Sequence, residues 1–281
     1  MKSILQWLVC LLVTASLAAQ SQRQAETPNQ PILILYAFAQ EGQELAGQMI
    51  VEKCDTLLGR AVRSGMLGGK PVMIVESGVG MTNAAMMTQM LIDRFRPEGL
   101  VFTGIAGAVD SSVHIGDIVI CTKWATHDYV NIGPDKTVPR SVNSYLASAD
   151  SIARLRFIDA DSAYLSVASV VSDQALSFEG INSRFPKVLM GVVGVSGNAF
   201  VDNAEKRDWL RTEFGACITD MESAAVAQVC LANRIPFIVF RSASDLAGGT
   251  RGQSARDELN RFFEIAAKNS AIFVVNFIAK L

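Results

Sequence analysis

Two carboxylates stand where apolar, strand-like runs give way to polar chain. One is Glu222, in Ile218-Thr219-Asp220-Met221-Glu222-Ser223-Ala224-Ala225; the other is Asp245, in Arg241-Ser242-Ala243-Ser244-Asp245. Cys217 to Met221 is a short, mostly apolar run feeding a helical pattern from Glu222 to Ala232, and Ile235 to Arg241 is β-branched and aromatic. Open α/β sheets bind ligands outside the carboxyl ends of their strands, so two acids delivered there by neighbouring strands point to a site. The plainer reading makes Glu222 a helix-start charge favoured by the dipole and Asp245 a loop cap.

Positioning both acids calls for a sheet of several strands, and the pattern supplies one. Ile32 to Phe38 reads as a strand, Glu41 to Leu58 as a helix, Pro71 to Val75 as a strand, Met81 to Phe95 as a helix and Leu100 to Thr103 as a strand. This βαβαβ opening predicts an α/β fold, a three-layer sandwich around a mostly parallel, mixed central sheet. Ile115 to Cys121, Leu165 to Val171 and Val188 to Val195 add strands, and a final helix runs from about Ser254 to Ile278. Lys123 to Tyr164, polar and carrying Pro134 and Pro139, reads as a long loop followed by one helix.

The chain has 281 residues, of which 50% are hydrophobic and 19% charged, enough for a sizeable core. A net charge of −2 with interspersed signs leaves no electrostatic footprint for nucleic acid or an anionic membrane, so the expected partner is a small molecule. Lys2 followed by an apolar run from Ile4 to Ala19 predicts a cleavable signal peptide over residues 1–19, a polar linker over 20–31, and one domain over 32–281. The mature protein is then expected in the periplasm or outside the cell, without stable membrane insertion.

Cys54, Cys121, Cys217 and Cys230 remain after the leader and form no CxxC pair. Two lie in apolar strand-like runs and one on an apolar helix face, which favours buried free thiols over a bridge. With His114 and His127 as the only histidines, a zinc set lacks ligands, and neither metal nor cofactor is expected.

Three glycine-containing segments follow strands and read as turns where backbone approaches a ligand: Ser77-Gly78-Val79-Gly80, Thr103-Gly104-Ile105-Ala106-Gly107 and Ser196-Gly197-Asn198-Ala199-Phe200. The first lacks the third glycine of a dinucleotide fingerprint, and no phosphate-binding GxxxxGK[ST] occurs.

Together with Ala37-Phe38-Ala39-Gln40-Glu41, Gly116-Asp117-Ile118-Val119, His127-Asp128, Asp220-Met221-Glu222 and Ser244-Asp245, these segments resemble the nucleoside phosphorylase and nucleosidase superfamily. The resemblance is greatest to the 5′-methylthioadenosine/S-adenosylhomocysteine nucleosidases, in the same order over residues 32 to 281. It implies a nucleoside phosphorylase-like fold, a homodimer, and hydrolysis of the N-glycosidic bond of adenine nucleosides. Such a reaction passes through an oxocarbenium-like sugar, so the base must leave protonated while a nucleophile waits on the opposite face.

By this resemblance Asp245 is the general acid toward N7 of adenine, and Glu41 is the base that activates water. Glu222 accepts hydrogen bonds from the ribose hydroxyls and Met221 packs on the sugar. Phe200 stacks on the base, the backbone around Ala199 and Val201 reads its edge, and Ser244 orients Asp245 or contacts the base. Phe38, Val79 and Leu259 are candidates for the wall of the 5′ pocket.

Phosphorolysis is the rival reaction. It needs a phosphate site built from arginines, but Val101-Phe102 precede Thr103-Gly104 where one is expected, and the first strand ends in Tyr36-Ala37-Phe38. An exported nucleoside-binding protein without turnover is a second alternative, and a scavenging enzyme for other purine nucleosides a third. Arg241 is expected to brace the Glu222 and Asp245 strands. Asn198 replaces an aspartate and should remove a charge near the base, and Tyr129, Val130 and Asn131 should alter the 5′ pocket.

Overall fold

The computed structural model describes residues 30–145, 152–181, 183–250 and 252–281. The expected leader over 1–19 and the linker up to residue 29 lie outside the described residues. Strand β1 (Ile32–Tyr36) is buried along its whole length, as a central parallel strand with both faces covered must be. Helix α1 (Ala39–Gln48) follows, and here the expected helix to Leu58 fails.

The chain instead forms β2 (Ile50–Leu57) and β3 (Arg60–Leu67), antiparallel strands joined at Leu58-Gly59, where φ is +48 and +75 as a tight type I′ hairpin turn requires. β2 is an edge strand exposed along most of its length, so it lacks the apolar alternation that marks a strand in sequence. Next come β4 (Lys70–Glu76), α2 (Met81–Phe95, as expected), β5 (Gly99–Ala108) and β6 (Ile118–Thr126).

The expected long loop after β6 is mostly short ribbon. β7 (Val130–Ile132) pairs with β8 (Thr137–Pro139), β9 (Val142–Tyr145) with β10 (Ile152–Leu155), and β11 (Ile158–Asp159) with β6. Pieces this short carry too few residues for a periodic signal. Leu165 to Val171, expected as a strand, belongs to α3 (Ser162–Ser172). The Asp161 side chain caps that helix by accepting from the Tyr164 amide at 2.9 Å, and Tyr164, Ala168 and Val171 are buried at helical spacing despite the β-branched composition.

β12 (Val188–Ser196), α4 (Ala204–Phe214), β13 (Ala216–Asp220), α5 (Ser223–Asn233), β14 (Phe237–Leu246) and α6 (Ala255–Ile278) complete the chain. Asn203 caps α4, and Ser254 with Asp257 forms a capping box on α6.

The ten-stranded sheet runs β11-β6-β12-β13-β5-β1-β4-β3-β2, with β14 inserted between β5 and β6. Parallel ladders join β1 to β4 and β5, β14 to β5, and β12 to both β6 and β13; the remaining pairings are antiparallel. Because β13 also pairs with β5, the strands β5, β14, β6, β12 and β13 close on themselves like a small barrel. Side chains of α2 and α5 pack with one face of the sheet, and those of α1, α3 and α6 with the other. Among the described residues no helix is long and apolar enough to cross a membrane.

Candidate active site

β5 organises the site. The expected turn at Thr103 to Gly107 is not a turn, because β14 pairs with β5 through to Ala108 and keeps the segment extended. Its glycines keep the strand bare where other side chains crowd it. A Cβ at Gly104, where φ is +151, would strike Glu41 Oε1 and Arg241 Nη1, and one at Gly107 would lie 2.9 Å from Asp245 Oδ1.

Glu41 stands in the first turn of α1 and is 3% exposed. Its Oε2 accepts from the amide of Ala37 at 2.7 Å, and its Oε1 from the amide of Ile105 at 2.9 Å, tying the β1–α1 connection to β5. Burial raises its pKa, against the pull of Arg241 and these amides.

Glu222 stands at the N-terminal boundary of α5 in a non-helical conformation, and its side chain reaches away from that helix to accept from the Gly80 amide at 2.7 Å, at the start of α2. Burial, with the adjacent Asp220 adding to it, raises its pKa to about 7. The β13 and β14 strands that deliver the two acids are not sheet neighbours, as the sequence pattern had implied; each lies against β5 instead.

Arg241 is fully buried on β14 and joins more than the expected strand pair. Nε donates to Asp220 Oδ2 at 2.8 Å, Nη1 donates to the Thr103 carbonyl at 3.3 Å, and the guanidinium lies 3.8 Å from Glu41 and 3.6 Å from Glu222. Its plane sits 4.3 Å from the Phe102 ring centroid. Burial alone would lower its pKa, but Asp220, Glu41 and Glu222 outweigh burial and raise it. Asp220 also accepts from the hydroxyls of Ser196 and Ser223. The sequence carried a signal for this cluster: an arginine directly after Phe237-Ile238-Val239-Phe240 must be buried, and a buried cation demands counter-charges.

Asp245 is 2% exposed and lies four residues further along the strand. The Ser244 hydroxyl donates to its Oδ2 at 2.8 Å. Burial raises its pKa to about 7; Ser244 lowers it, while Glu258 and Asp202 push it up. Glu258 is itself buried and accepts from the Leu246 amide at 2.8 Å and the Thr250 hydroxyl at 2.9 Å, a contact with no signature in the sequence.

A cavity of about 410 Å³ gathers Glu41, Glu222 and Asp245 with Met221, Phe200, Ala199, Val201, Ser244, Phe38, Val79 and Leu259. Thr219, Asp220, Ile105 and Arg256 also line it, the last with its guanidinium 4.8 Å from the Phe200 ring centroid. Two expectations do not hold. Asn198 faces away from the cavity, its side-chain oxygen accepting from the Met81 amide at 3.0 Å on α2. Tyr129, Val130 and Asn131 lie on or beside the β7–β8 ribbon and do not reach the cavity. Cys121, Cys217 and Cys230 are buried free thiols and Cys54 an exposed one.

The profile of the family described as the phosphorylase superfamily matches residues 31–279. The chain belongs to the phosphorylase superfamily. Within it, a 5′-methylthioadenosine/S-adenosylhomocysteine nucleosidase of Actinobacillus succinogenes is 32% identical over 88% of this chain and 98% of the relative. The structure of the Colwellia psychrerythraea nucleosidase in complex with adenine shares 29% identity at a TM-score of 0.74, covering 90% of this chain and 96% of that one. The Neisseria meningitidis nucleosidase, in complex with methylthio-immucillin-A, gives 26% and 0.73 over 90% and 100%. Futalosine hydrolase of Helicobacter pylori, at 24% identity and a TM-score of 0.74, shares the superfamily fold.

Proposed function

We propose that the protein hydrolyses the N-glycosidic bond of adenine nucleosides such as 5′-methylthioadenosine and S-adenosylhomocysteine, releasing adenine. One observation carries this reading: a single cavity holds Asp245, a buried acid with a pKa of about 7, together with Glu41 and Glu222 and otherwise largely apolar walls. Asp245 gives its proton to N7 as the bond from C1′ to N9 breaks. Glu41 takes one proton from a water molecule whose oxygen bonds to C1′, and Glu222 accepts from the ribose hydroxyls. The excess proton on Glu41 returns through solvent to Asp245, so the sum is addition of one water across the bond.

Water rather than phosphate suits the lining. Among the described residues Arg256 is the one guanidinium on the cavity wall and lies against Phe200, Arg241 is committed to carboxylates, and Val101 and Phe102 are buried in the core. The test is chromatographic detection of adenine from 5′-methylthioadenosine with and without phosphate. Release that requires phosphate would move the protein to the phosphorylases, and tight binding without release would make it a receptor.

The same proposal includes export and a homodimer. The apolar run over residues 4–19 supports cleavage and release outside the cytoplasm, checked by N-terminal sequencing of protein recovered from cell fractions. The dimer is supported by resemblance and by exposed apolar side chains such as Ile132, and light scattering reads it directly.

A further inference from the structure

Thr219 lines the cavity, is 5% exposed, and among the described residues its hydroxyl has no hydrogen-bond partner. A buried hydroxyl left unpaired is costly, and valine has the same shape without that cost, so the hydroxyl calls for an explanation. It sits in β13 opposite Val195 of β12 and Gly107 of β5, neither of which offers a side-chain acceptor. On its other edge Gly107 stands opposite Asp245.

Register partners on adjacent strands share a face, so Thr219 and Asp245 flank a residue with no side chain. Two strand spacings separate their backbones, about 9.6 Å. The bare strand at Gly107 gives the slot between them a floor without a side chain, where an added Cβ would crowd Asp245 Oδ1 at 2.9 Å.

In a purine, N7 and N3 lie on opposite sides of the line from N9 to the sugar. A base in this slot with N7 against Asp245 therefore turns its N3 edge toward Thr219. N3 of adenine is an acceptor without a hydrogen, and the Thr219 hydroxyl is a donor without an acceptor. Methyl and hydroxyl hang on one Cβ, so a single χ1 step brings the hydroxyl to the ligand. The geometry points to Thr219 as a specificity-determining residue that donates a hydrogen bond to N3 of the bound base. The inference rests on the adenine-nucleoside reading of the cavity and adds the base edge that this chain selects.

Binding of the free bases tests it without requiring turnover. Calorimetry with adenine and 3-deazaadenine, in which CH replaces N3, should show the wild type binding adenine about tenfold tighter, the worth of one net hydrogen bond. Thr219→Val should bind the two bases equally, Thr219→Ser should keep the discrimination, and the unliganded valine variant should melt no lower than the wild type. An adenine to 3-deazaadenine ratio unchanged by Thr219→Val overturns the inference, as does a marked loss of stability in that variant, which would mean the hydroxyl already has a protein partner. If the wild type binds neither base, the nucleoside reading falls as well, an outcome distinct from adenine binding with an unaltered ratio.

Discussion

Two buried regions of one site surround their carboxylates with different partners, although burial raises the pKa of Glu41, Glu222 and Asp245 alike. Around Arg241, the side chains of Glu41, Asp220 and Glu222 share one guanidinium and are held by backbone amides and hydroxyls. Around Asp245 there is a single hydroxyl donor, Ser244, and the charges that shift its pKa are the acids Glu258 and Asp202. The first region spends its polar contacts on fixing where carboxylates stand. The second leaves an acid with little reason to ionise, which suits a group that must carry a proton to a leaving base.

The sharpest way to break this contrast is Asp245→Asn, which cannot donate the proton. Adenine release, followed by chromatography, should fall by about 10³-fold or more. The same variant should be more stable than the wild type at pH 8, because the raised pKa makes stability fall as pH rises from about 4 to 7, the interval in which the folded chain keeps a proton that the unfolded chain loses. Urea unfolding should show a gain on the order of 3 kcal/mol. No gain would mean that Asp245 has a cationic partner.

Arg241→Met attacks the other region by leaving three buried carboxylates without a cation. A loss of about 3–5 kcal/mol in urea unfolding is expected. Glu41→Gln keeps the shape but removes an acceptor that backbone amides require. Adenine release should drop by roughly 10²-fold or more, with a smaller loss of stability than for Arg241→Met.

The smallest effect sharpens the comparison. Removing the one hydroxyl donor in Ser244→Ala raises the Asp245 pKa further. The alkaline limb of kcat/KM, expected near pH 7 in the wild type, should move upward by a fraction of a unit in a pH profile. Movement downward would show that Ser244 acts in another way.

Much of this was legible in the chain. The strand ends near Glu222 and Asp245 and helix α2 follow from apolar runs and their boundaries, whereas the other residues of the cavity came from the resemblance to the nucleosidases. What failed did so for physical reasons. β2 is wet on both faces and shows no period, α3 carries Val167, Val170 and Val171 that read as strand but is held as a helix by its Asp161 cap, and the ribbons from β7 to β11 are shorter than any periodic signal. Asp220 and Arg241 were visible as residues but not as one cluster, because their pairing depends on strands brought together by β5. Thr219 and Glu258 were invisible as functional candidates, since an unpaired hydroxyl or a carboxylate behind another acid exists only in three dimensions.

β5 touches every acid assigned to the chemistry, directly or through one neighbour. Thr103 receives Arg241, Ile105 holds Glu41, and Gly107 makes room for Asp245, at alternate positions along one strand. The interval between the places where Ile105 holds Glu41 and Gly107 admits Asp245, the proposed base and acid, is thus set by the strand repeat, about 6.7 Å for two residues. Phe38, Val79 and Leu259 stand on connections and a helix outside that strand. If these residues form the 5′ pocket as the proposed function has it, substitutions there retune which 5′ group is accepted while the strand keeps the proposed reacting groups at a constant interval, so substrate can drift without the chemistry drifting.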